Sequence, residues 1–206
     1  YEKALAEVNT LLGKSQSVKD YSDSIKELSK QFGSNVVEQA GATYQIISAG
    51  AKDAAEATNV LTAANKLAIG GVTDITTAAD GLTTILNAYN LSSDQASMVS
   101  DILFSTMKSG KTTVGELSSS LGLIVPTASQ LGVSLPEVTA AIATLTTNGV
   151  ATAQAVTQVN AALTNVLKPS KKAKDLAGEL GMEFNVAALE ADGLSGFLDE
   201  VTKASG

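Results

Sequence analysis

The sequence predicts an all-α protein made of amphipathic helices that are joined by short capped turns. Apolar residues recur at alternating three- and four-residue steps along most of the 206-residue chain, which is the spacing of one helix face. Polar capping residues stand before many of these apolar runs. Hydrophobic residues make up 44% of the chain and aromatic residues only 4%, so small aliphatic side chains must build the core.

The first 33 residues predict one long helix or a coiled-coil arm. Leu5, Val8 and Leu12 keep a heptad-like spacing. After a change of phase the spacing returns at Val18, Tyr21, Ile25, Leu28 and Phe32. The phase change at residues 13–17 predicts a hinge or local unwinding. An ordinary amphipathic helix that packs on its own domain explains the same pattern equally well.

Residues 34–72 predict connecting helices, over 35–49 and 52–68. Gly50 is expected to end the first of them, and the pair Gly70 and Gly71 the second. The reason is that glycine adopts the left-handed conformation of a helix terminus without strain.

Residues 73–204 predict a compact helical bundle. Helices are expected over 73–90, 96–109, 113–131, 134–147, 152–167 and 171–180, and from residue 185 onward. Ser92 with Gln95, and Thr113 with Glu116, have the spacing of capping boxes. The clearest start is at residues 134–137, where serine caps the helix, proline occupies its first turn and glutamate its third position.

Two interruptions are expected within these helices. Pro126 lacks a backbone N–H and should kink its helix near Gly122. Gly193 should break the last helix.

The composition argues against an enzyme. The chain has no Cys, His, Trp or Arg, and so lacks the usual proton shuttle, thiol nucleophile and bidentate phosphate ligand. A net charge of −7 and a pI near 4.6 argue against a nucleic-acid partner. No apolar run reaches the ~18 residues of a membrane-spanning helix. We therefore predict no catalytic, cofactor-binding or metal-binding residue, and no membrane contact.

Two segments match enzyme motifs only in part. Ser109–Thr112 has the letters that end a phosphate-binding loop, but Ser105 stands where that motif requires glycine, and residues 102–107 predict a helix rather than a strand. Ser105 and Lys108 have the S-x-x-K spacing of serine acylases, but the companion Ser-Asp-Asn and Lys-Thr-Gly motifs are absent.

The charged clusters are expected to be surface features. No apolar pocket or calcium-loop pattern accompanies the acidic residues Asp74, Asp80, Asp94 and Asp101. Carboxylates near helix starts favour the helix dipole, which explains Asp74, Asp94 and Glu137. The basic cluster at 168–174 is expected to be a solvated turn before a helix, with a nucleic-acid or lipid contact as the alternative.

Residues 74–180 resemble the helical core region of bacteriophage tail tape measure proteins. No single motif is diagnostic, but the order of the segments is specific. The resemblance is carried by residues 78–82, 86–91, 94–103, 114–117, 128–134, 140–145, 148–150, 168–169 and 180–181. The chain departs from the family at 151–157, where a glycine-rich turn with a later basic residue is usual.

The resemblance implies a structural role in a phage or phage-like tail. Tape measure proteins run through the tail tube, help to nucleate its polymerisation and set its length. The implied partners are further copies of the chain and tail tube, hub or tip proteins; the implied location is the virion tail, assembled in the host cytoplasm. The absence of an initiator Met suggests a piece of a longer polypeptide. The alternative is a general α-helical interaction module.

Two arrangements within a tail are compatible with the sequence. A continuous helix advances ~1.5 Å per residue, so an extended segment would convert chain length into distance. The glycine breaks and capping boxes favour a compact bundle near one end of the tail.

Overall fold

The computed structural model describes residues 1–14 and 16–205, apart from the side chain of Ser205, and this part of the chain is helical without any strand. Its helices are α1 Glu2–Thr10, α2 Val18–Phe32, α3 Val36–Ser48, α4 Ala54–Gly71, α5 Ile75–Ala88, α6 Ala96–Ser109, α7 Val114–Ser120, α8 Val125–Gln130, α9 Leu135–Thr147, α10 Thr152–Leu167, α11 Lys171–Glu179 and α12 Val186–Ser205. Short 3₁₀ turns cover Ser93–Gln95 and Leu121–Leu123. The predicted all-α class is confirmed.

One hydrophobic cluster joins the helices, from Val8 in α1 to Phe197 in α12. Helices α4 and α5 lie at its centre and pack most extensively on each other, with α3, α6 and α7 around them. Helix α9 packs on α6 and α10, and α12 packs on α9 and α10. The cluster crosses residues 33 and 72, where the sequence suggested domain boundaries; that division stays a prediction.

The first 33 residues form two helices rather than one. Helix α1 ends at Thr10, and Ser17 caps α2 by accepting a hydrogen bond from the Lys19 N–H at 3.3 Å. The predicted hinge at 13–17 lies between them, with Ser15 outside the described residues. Val8, Tyr21, Ile25 and Leu28 of the apolar stripe are buried, where α1 packs on α3 and α2 packs on α3 and α4 of the same chain. Of the two alternatives, ordinary amphipathic packing therefore describes the structure.

The end of α4 differs from the prediction. The helix continues through Gly70 and ends at Gly71, and the C-cap residue Val72 takes the left-handed conformation with φ of 51°. A Cβ atom at Gly71 would lie 2.3 Å from Cγ2 of Val114 in α7. Gly71 is therefore required for close helix contact and not for a turn. The left-handed conformation that ends the helix is taken by Val72 instead.

A second close contact joins α5 and α7. A Cβ atom at Gly81 would lie 2.4 Å from Oγ and 3.0 Å from Cα of Ser118. Two more small residues of α5, Ala78 and Ala79, are fully buried beside Gly81 in the sequence. The absence of a side chain at Gly81 therefore sets the distance between the two helices.

The predicted kink at Pro126 is a complete break. Helix α7 ends at Ser120, a 3₁₀ turn covers Leu121–Leu123, and Pro126 occupies the first turn of the separate helix α8. Proline is tolerated there because a first-turn N–H has no partner within the helix. The break lies near Gly122, as expected, but it produces two helices.

Threonine side chains are accommodated by hydrogen bonds within their own helices. The hydroxyl groups of Thr43, Thr83 and Thr139 donate to the carbonyl four residues earlier, at 2.8, 2.9 and 3.0 Å. These three residues are buried. The local bonds satisfy groups that would otherwise be costly to bury, and so allow small polar residues in close helix contacts.

A buried amide pair links α3 and α4. Gln39 and Asn65 hydrogen-bond to each other reciprocally, with the Asn65 Nδ2 donating to Gln39 Oε1 at 3.1 Å. Their remaining N–H groups donate to Ser34 Oγ at 2.5 Å and to the Leu61 carbonyl at 2.8 Å. Because every donor of the pair is satisfied, a shifted register of α3 on α4 would leave buried polar groups unpaired.

The predicted capping box at the start of α9 also holds α12. The Glu137 carboxylate accepts hydrogen bonds from the Ser134 N–H at 2.9 Å and Oγ at 2.6 Å. Its other oxygen accepts from the Leu194 N–H at 2.9 Å, next to Gly193, where φ is 67° and α12 breaks as predicted. These hydrogen bonds lower the pKa of Glu137, the Ser134 hydroxyl contributing most.

We expect Gly81→Ala to lower the free energy of unfolding by about 1–3 kcal/mol, because its methyl group would overlap Ser118. Gly41→Ala is the matched control, since that glycine of α3 has no atom within 4 Å of an added Cβ. The control should gain up to ~1 kcal/mol from helix propensity. Urea unfolding measures both. Equal effects would contradict the close-contact explanation.

We expect Glu137→Gln to cost about 1–2 kcal/mol at pH 7, because an amide can accept only one of the carboxylate's two sets of hydrogen bonds. The pKa of Glu137 is lower in the folded state than in the unfolded state. The contribution of its carboxylate to stability is therefore present above the unfolded-state pKa and is lost as the pH falls through the folded-state pKa. The difference from wild type should therefore shrink as the pH is lowered from 7 to an acid pH below the folded-state pKa of Glu137.

The control for this experiment is Glu56→Gln. Glu56 occupies a similar place in α4, but it accepts locally, from the Lys52 N–H at 2.9 Å. Urea unfolding at both pH values gives the comparison. An equal loss in the two variants, or a loss independent of pH, would contradict the role of Glu137 in holding α12.

Candidate functional site

The two residues of the S-x-x-K match have different surroundings in the structure. The Lys108 ammonium lies 6.0 Å from the centroid of the Phe104 ring, while Ser105 lines a groove between α6 and α9.

The segment that resembles a phosphate-binding loop serves helix packing. It follows α6, a helix as the sequence predicted, and not a strand. The Lys111 N–H donates to Thr146 Oγ1 at 3.2 Å, and the Thr112 hydroxyl lies 2.8 Å from that of Thr152. A Cβ atom at Gly110 would lie 2.8 Å from Thr146 Oγ1. These contacts fix the end of α6 against α9 and the start of α10.

Of the acidic residues considered above, Asp74 has a structural role. Asp74 caps α5, accepting from the Thr77 N–H at 2.8 Å and hydroxyl at 2.6 Å, and these bonds lower its pKa. Over residues 1–14 and 16–205, no group of three or more acidic side chains is placed to hold a metal ion. No helix in that same part is both long and apolar enough to span a bilayer.

The first open surface feature is a groove of about 540 Å³ between α6 and α9, called here the α6–α9 groove. Small residues form most of its walls. They are Ser105, Thr106 and Ser109 from α6, with Thr139, Ala140, Ala143, Thr144 and Thr147 from α9. A groove with such walls can admit the side chains of a second helix.

A second groove, of about 470 Å³, lies on the other side of α9 and is bounded by α10 and α12. Its walls are mostly apolar and include Leu145, Val159, Leu194 and Leu198. Ala140 and Thr144 line both grooves, so α9 forms a ridge between them. Two adjacent grooves wide enough for the side chains of a helix therefore flank α9.

Several large apolar side chains are exposed on the surface. Val72 is 93% exposed, and its positive φ is unusual for a β-branched residue. Ile69, one helical turn earlier in α4, is exposed as well. Apolar side chains at such positions contribute nothing to the core, which marks the end of α4 as a contact candidate.

Helix α11 carries the basic cluster and an exposed apolar pair. Lys168, Lys171, Lys172 and Lys174 are all exposed. Leu176 and Leu180 are 55% and 43% exposed, and α11 has only marginal contact with other helices in the described structure.

The sequence motifs did not reveal these surfaces. Leu176 and Leu180 are spaced for the buried face of a helix, yet the structure buries Ala177 and exposes the leucines. The one sequence signal for this surface is the high density of lysines at residues 168–174, which predicts that the start of the helix is exposed. The grooves beside α9 have no sequence signal, because residues that line a groove and residues that line a tight contact are equally small.

Comparison with known proteins identifies the family. The model of the phage-related minor tail protein family matches residues 22–206. A probable tape measure protein of Clostridium phage phiCD119 is 33% identical over 142 residues, which cover 67% of this chain and 15% of that protein. The tape measure protein of Pneumococcus phage Dp-1 is 26% identical over 111 residues, 54% of this chain and 10% of that protein.

The matched region is thus a small part of each relative, and no solved structure matches the chain. The family match covers most of the chain and agrees with the names of both relatives. The sequence prediction of a tape measure family is confirmed. The chain belongs to the phage-related minor tail protein family, among the tape measure proteins of phage tails.

Proposed function

We propose that this chain is an assembly segment of a tape measure protein, in a protein that helps to set tail length and to nucleate the tail tube. The observation that carries the proposal is the family match over residues 22–206. Two relatives that bear the name tape measure protein support it. The segment would act within the virion tail, or at one of its ends, after assembly in the bacterial cytoplasm.

The fold favours a role through contacts rather than through length. As one continuous helix, 206 residues would extend over ~310 Å, whereas a folded domain of this size has a diameter of ~40 Å. A single hydrophobic cluster that reaches from Val8 to Phe197 opposes the extended form, since extension would expose it. The segment therefore adds at most its folded diameter to the length of a tail.

The surfaces of the fold fit the partners of such a role. The two grooves beside α9 are suited to helices of tail tube, hub or tip proteins, or of another copy of this chain. The net charge of −7 disfavours the binding of nucleic acid. The residues described above do not form a site for its sequence-specific recognition. The segment needs no catalytic activity for this function.

The test is an in-frame deletion of the segment from the phage gene that encodes it, followed by electron microscopy of the tails. Because the segment is folded, we expect fewer assembled particles, with tails shortened by no more than ~40 Å. Shortening by ~310 Å would instead show an extended ruler.

The control is mass spectrometry of purified wild-type virions and tail intermediates. Peptides of this chain should be present there and absent from the particles of the deletion strain. Their absence from wild-type particles and intermediates would contradict the tail role, and would favour a general helical interaction module.

A further inference from the structure

The outer faces of α9 and α10 carry no fully exposed charge. Between residues 117 and 167 the sequence holds a single charged residue, Glu137, and the structure leaves it half-buried. Every fully exposed residue of this range is uncharged, and most of them belong to α9, α10 and the turn between these helices. Charged residues make up 17% of the whole chain. Depletion of charge distinguishes the centre of a protein contact from ordinary surface, so these two helices are a contact candidate.

This surface has a ridge beside a groove. Ala140 and Thr144 are exposed one turn apart on the outer side of α9 and form the ridge. The groove of about 470 Å³ follows on the side of α10, where Gln158 and Ala162, also one turn apart, line its wall. We call the groove the α9–α10 groove, and the groove together with these four residues the α9–α10 face. Because the ridge residues are small, a second helix can approach α9 closely, at the ~8 Å end of the usual range of interaxial distances.

The polar groups of these helices are largely satisfied before any partner arrives. The hydroxyl groups of Thr144, Thr157 and Thr164 donate to the carbonyl four residues earlier, at 2.9, 2.8 and 2.8 Å. The Glu137 carboxylate, which lines one wall of the groove, already accepts hydrogen bonds from the cap of α9 and from α12. Removing water from this face therefore breaks few hydrogen bonds that the chain does not replace itself.

The groove also offers apolar area. Leu145 of α9, Val159 of α10 and Leu198 of α12 line it, and Leu198 is 41% exposed. A helix seated in the groove would remove this area from water, which is favourable in proportion to the area covered. The α9–α10 face thus combines apolar area, small side chains and absence of exposed charge.

We propose that two copies of this chain pack through their α9–α10 faces, with the α9 ridge of each copy in the α9–α10 groove of the other. A two-fold symmetric contact requires one face to hold both the inserted part and the receiving part. The α9–α10 face meets this requirement, because Ala140 and Thr144 form the ridge and also line the groove beside it. The two α9–α10 hairpins then form a four-helix arrangement between the copies.

The chain itself shows how an amide is accommodated in such a contact. Between α3 and α4, Gln39 and Asn65 hydrogen-bond to each other reciprocally and are buried. Gln158 is the exposed amide in the wall of the α9–α10 groove. When the groove is covered, its amide takes a partner in the second copy in the same way.

Charge favours a second copy over other occupants. A charged partner would lose hydration at this face and would meet no exposed opposite charge in return. Two copies with a net charge of −7 repel each other where their acidic surfaces meet, but at the α9–α10 face they meet without placing like charges in contact. The α6–α9 groove is less suited, since α6 exposes Asp101 and Lys108. This inference rests on the self-association in the proposed function and names its surface.

The test is sedimentation velocity of the 206-residue chain over a range of concentrations and salt. We expect a monomer–dimer equilibrium, and a weak one, because two short helices from each copy bury a small area. Dimerisation should become stronger, about twofold or more, between ~10 mM and ~1 M salt, because salt screens the repulsion between two acidic copies. A contact made by opposite charges would respond to salt in the reverse direction.

The variant that tests the face is Ala140→Glu with Ala162→Glu, which should weaken dimerisation at least tenfold. It brings like charges into the contact without filling the core, since both alanines are exposed. The matched control is Ala6→Glu with Ala55→Glu, the same change at exposed alanines of α1 and α4. The control should dimerise within about twofold of wild type. Circular dichroism checks that both variants are folded.

A charge-swap mixture makes the test independent of stability. Ala140→Lys with Ala162→Lys should also repel its own copies. Mixed with the glutamate variant, it should form a dimer at least as tight as that of wild type, because residue 140 on the ridge of one copy faces residue 162 in the groove wall of the other. Two misfolded variants would not regain dimerisation when they are mixed.

Four results would overturn the proposal. They are a wild-type chain that stays monomeric at high concentration and high salt, dimerisation that weakens with salt, equal effects of the face and control variants, and a mixture that fails to associate. None of these results depends on tail length or on the presence of the chain in virions. Failure here is therefore distinguishable from failure of the tail role.

Discussion

Close contact between α4, α5 and α7 is the constraint on which the rest of the structure depends. With few aromatic residues, the chain cannot fill wide spaces between helices, so its central helices must approach closely. Gly71 and Gly81 make that approach possible, at Val114 and Ser118 of α7. The outer helices then pack on this centre, and one hydrophobic cluster includes residues from both ends of the chain.

The small size of the side chains also determines the shape of the surface. Helices lined with alanine, serine and threonine leave grooves between them wherever no partner helix fills the space. Such grooves flank α9 on both sides, while α11 extends leucines that no helix of its own chain covers. The tail role that we propose would need contacts with other proteins, and open grooves and an uncovered helix are surfaces on which such contacts can form.

Much of the fold was predictable from the sequence because a helix cap depends on residues that are only a few positions apart in the chain. Ser134 with Glu137 predicted the start of α9, and Asp74 lies at a helix start as expected. The end of α4 was mispredicted because a glycine needed for contact with Val114 looks the same as a glycine that ends a helix. The candidate surfaces were less predictable still, because which face of α11 is covered depends on the tertiary packing and not on the spacing of its leucines.

The central claim is that these helices form one folded unit and not an extended rod. Small-angle X-ray scattering of the isolated chain tests it most directly. A folded domain of 206 residues should give a radius of gyration of ~17 Å, after extrapolation to zero concentration to remove self-association. A rod-like profile with a maximum dimension approaching ~310 Å would contradict the claim and return the segment to the role of an extended ruler.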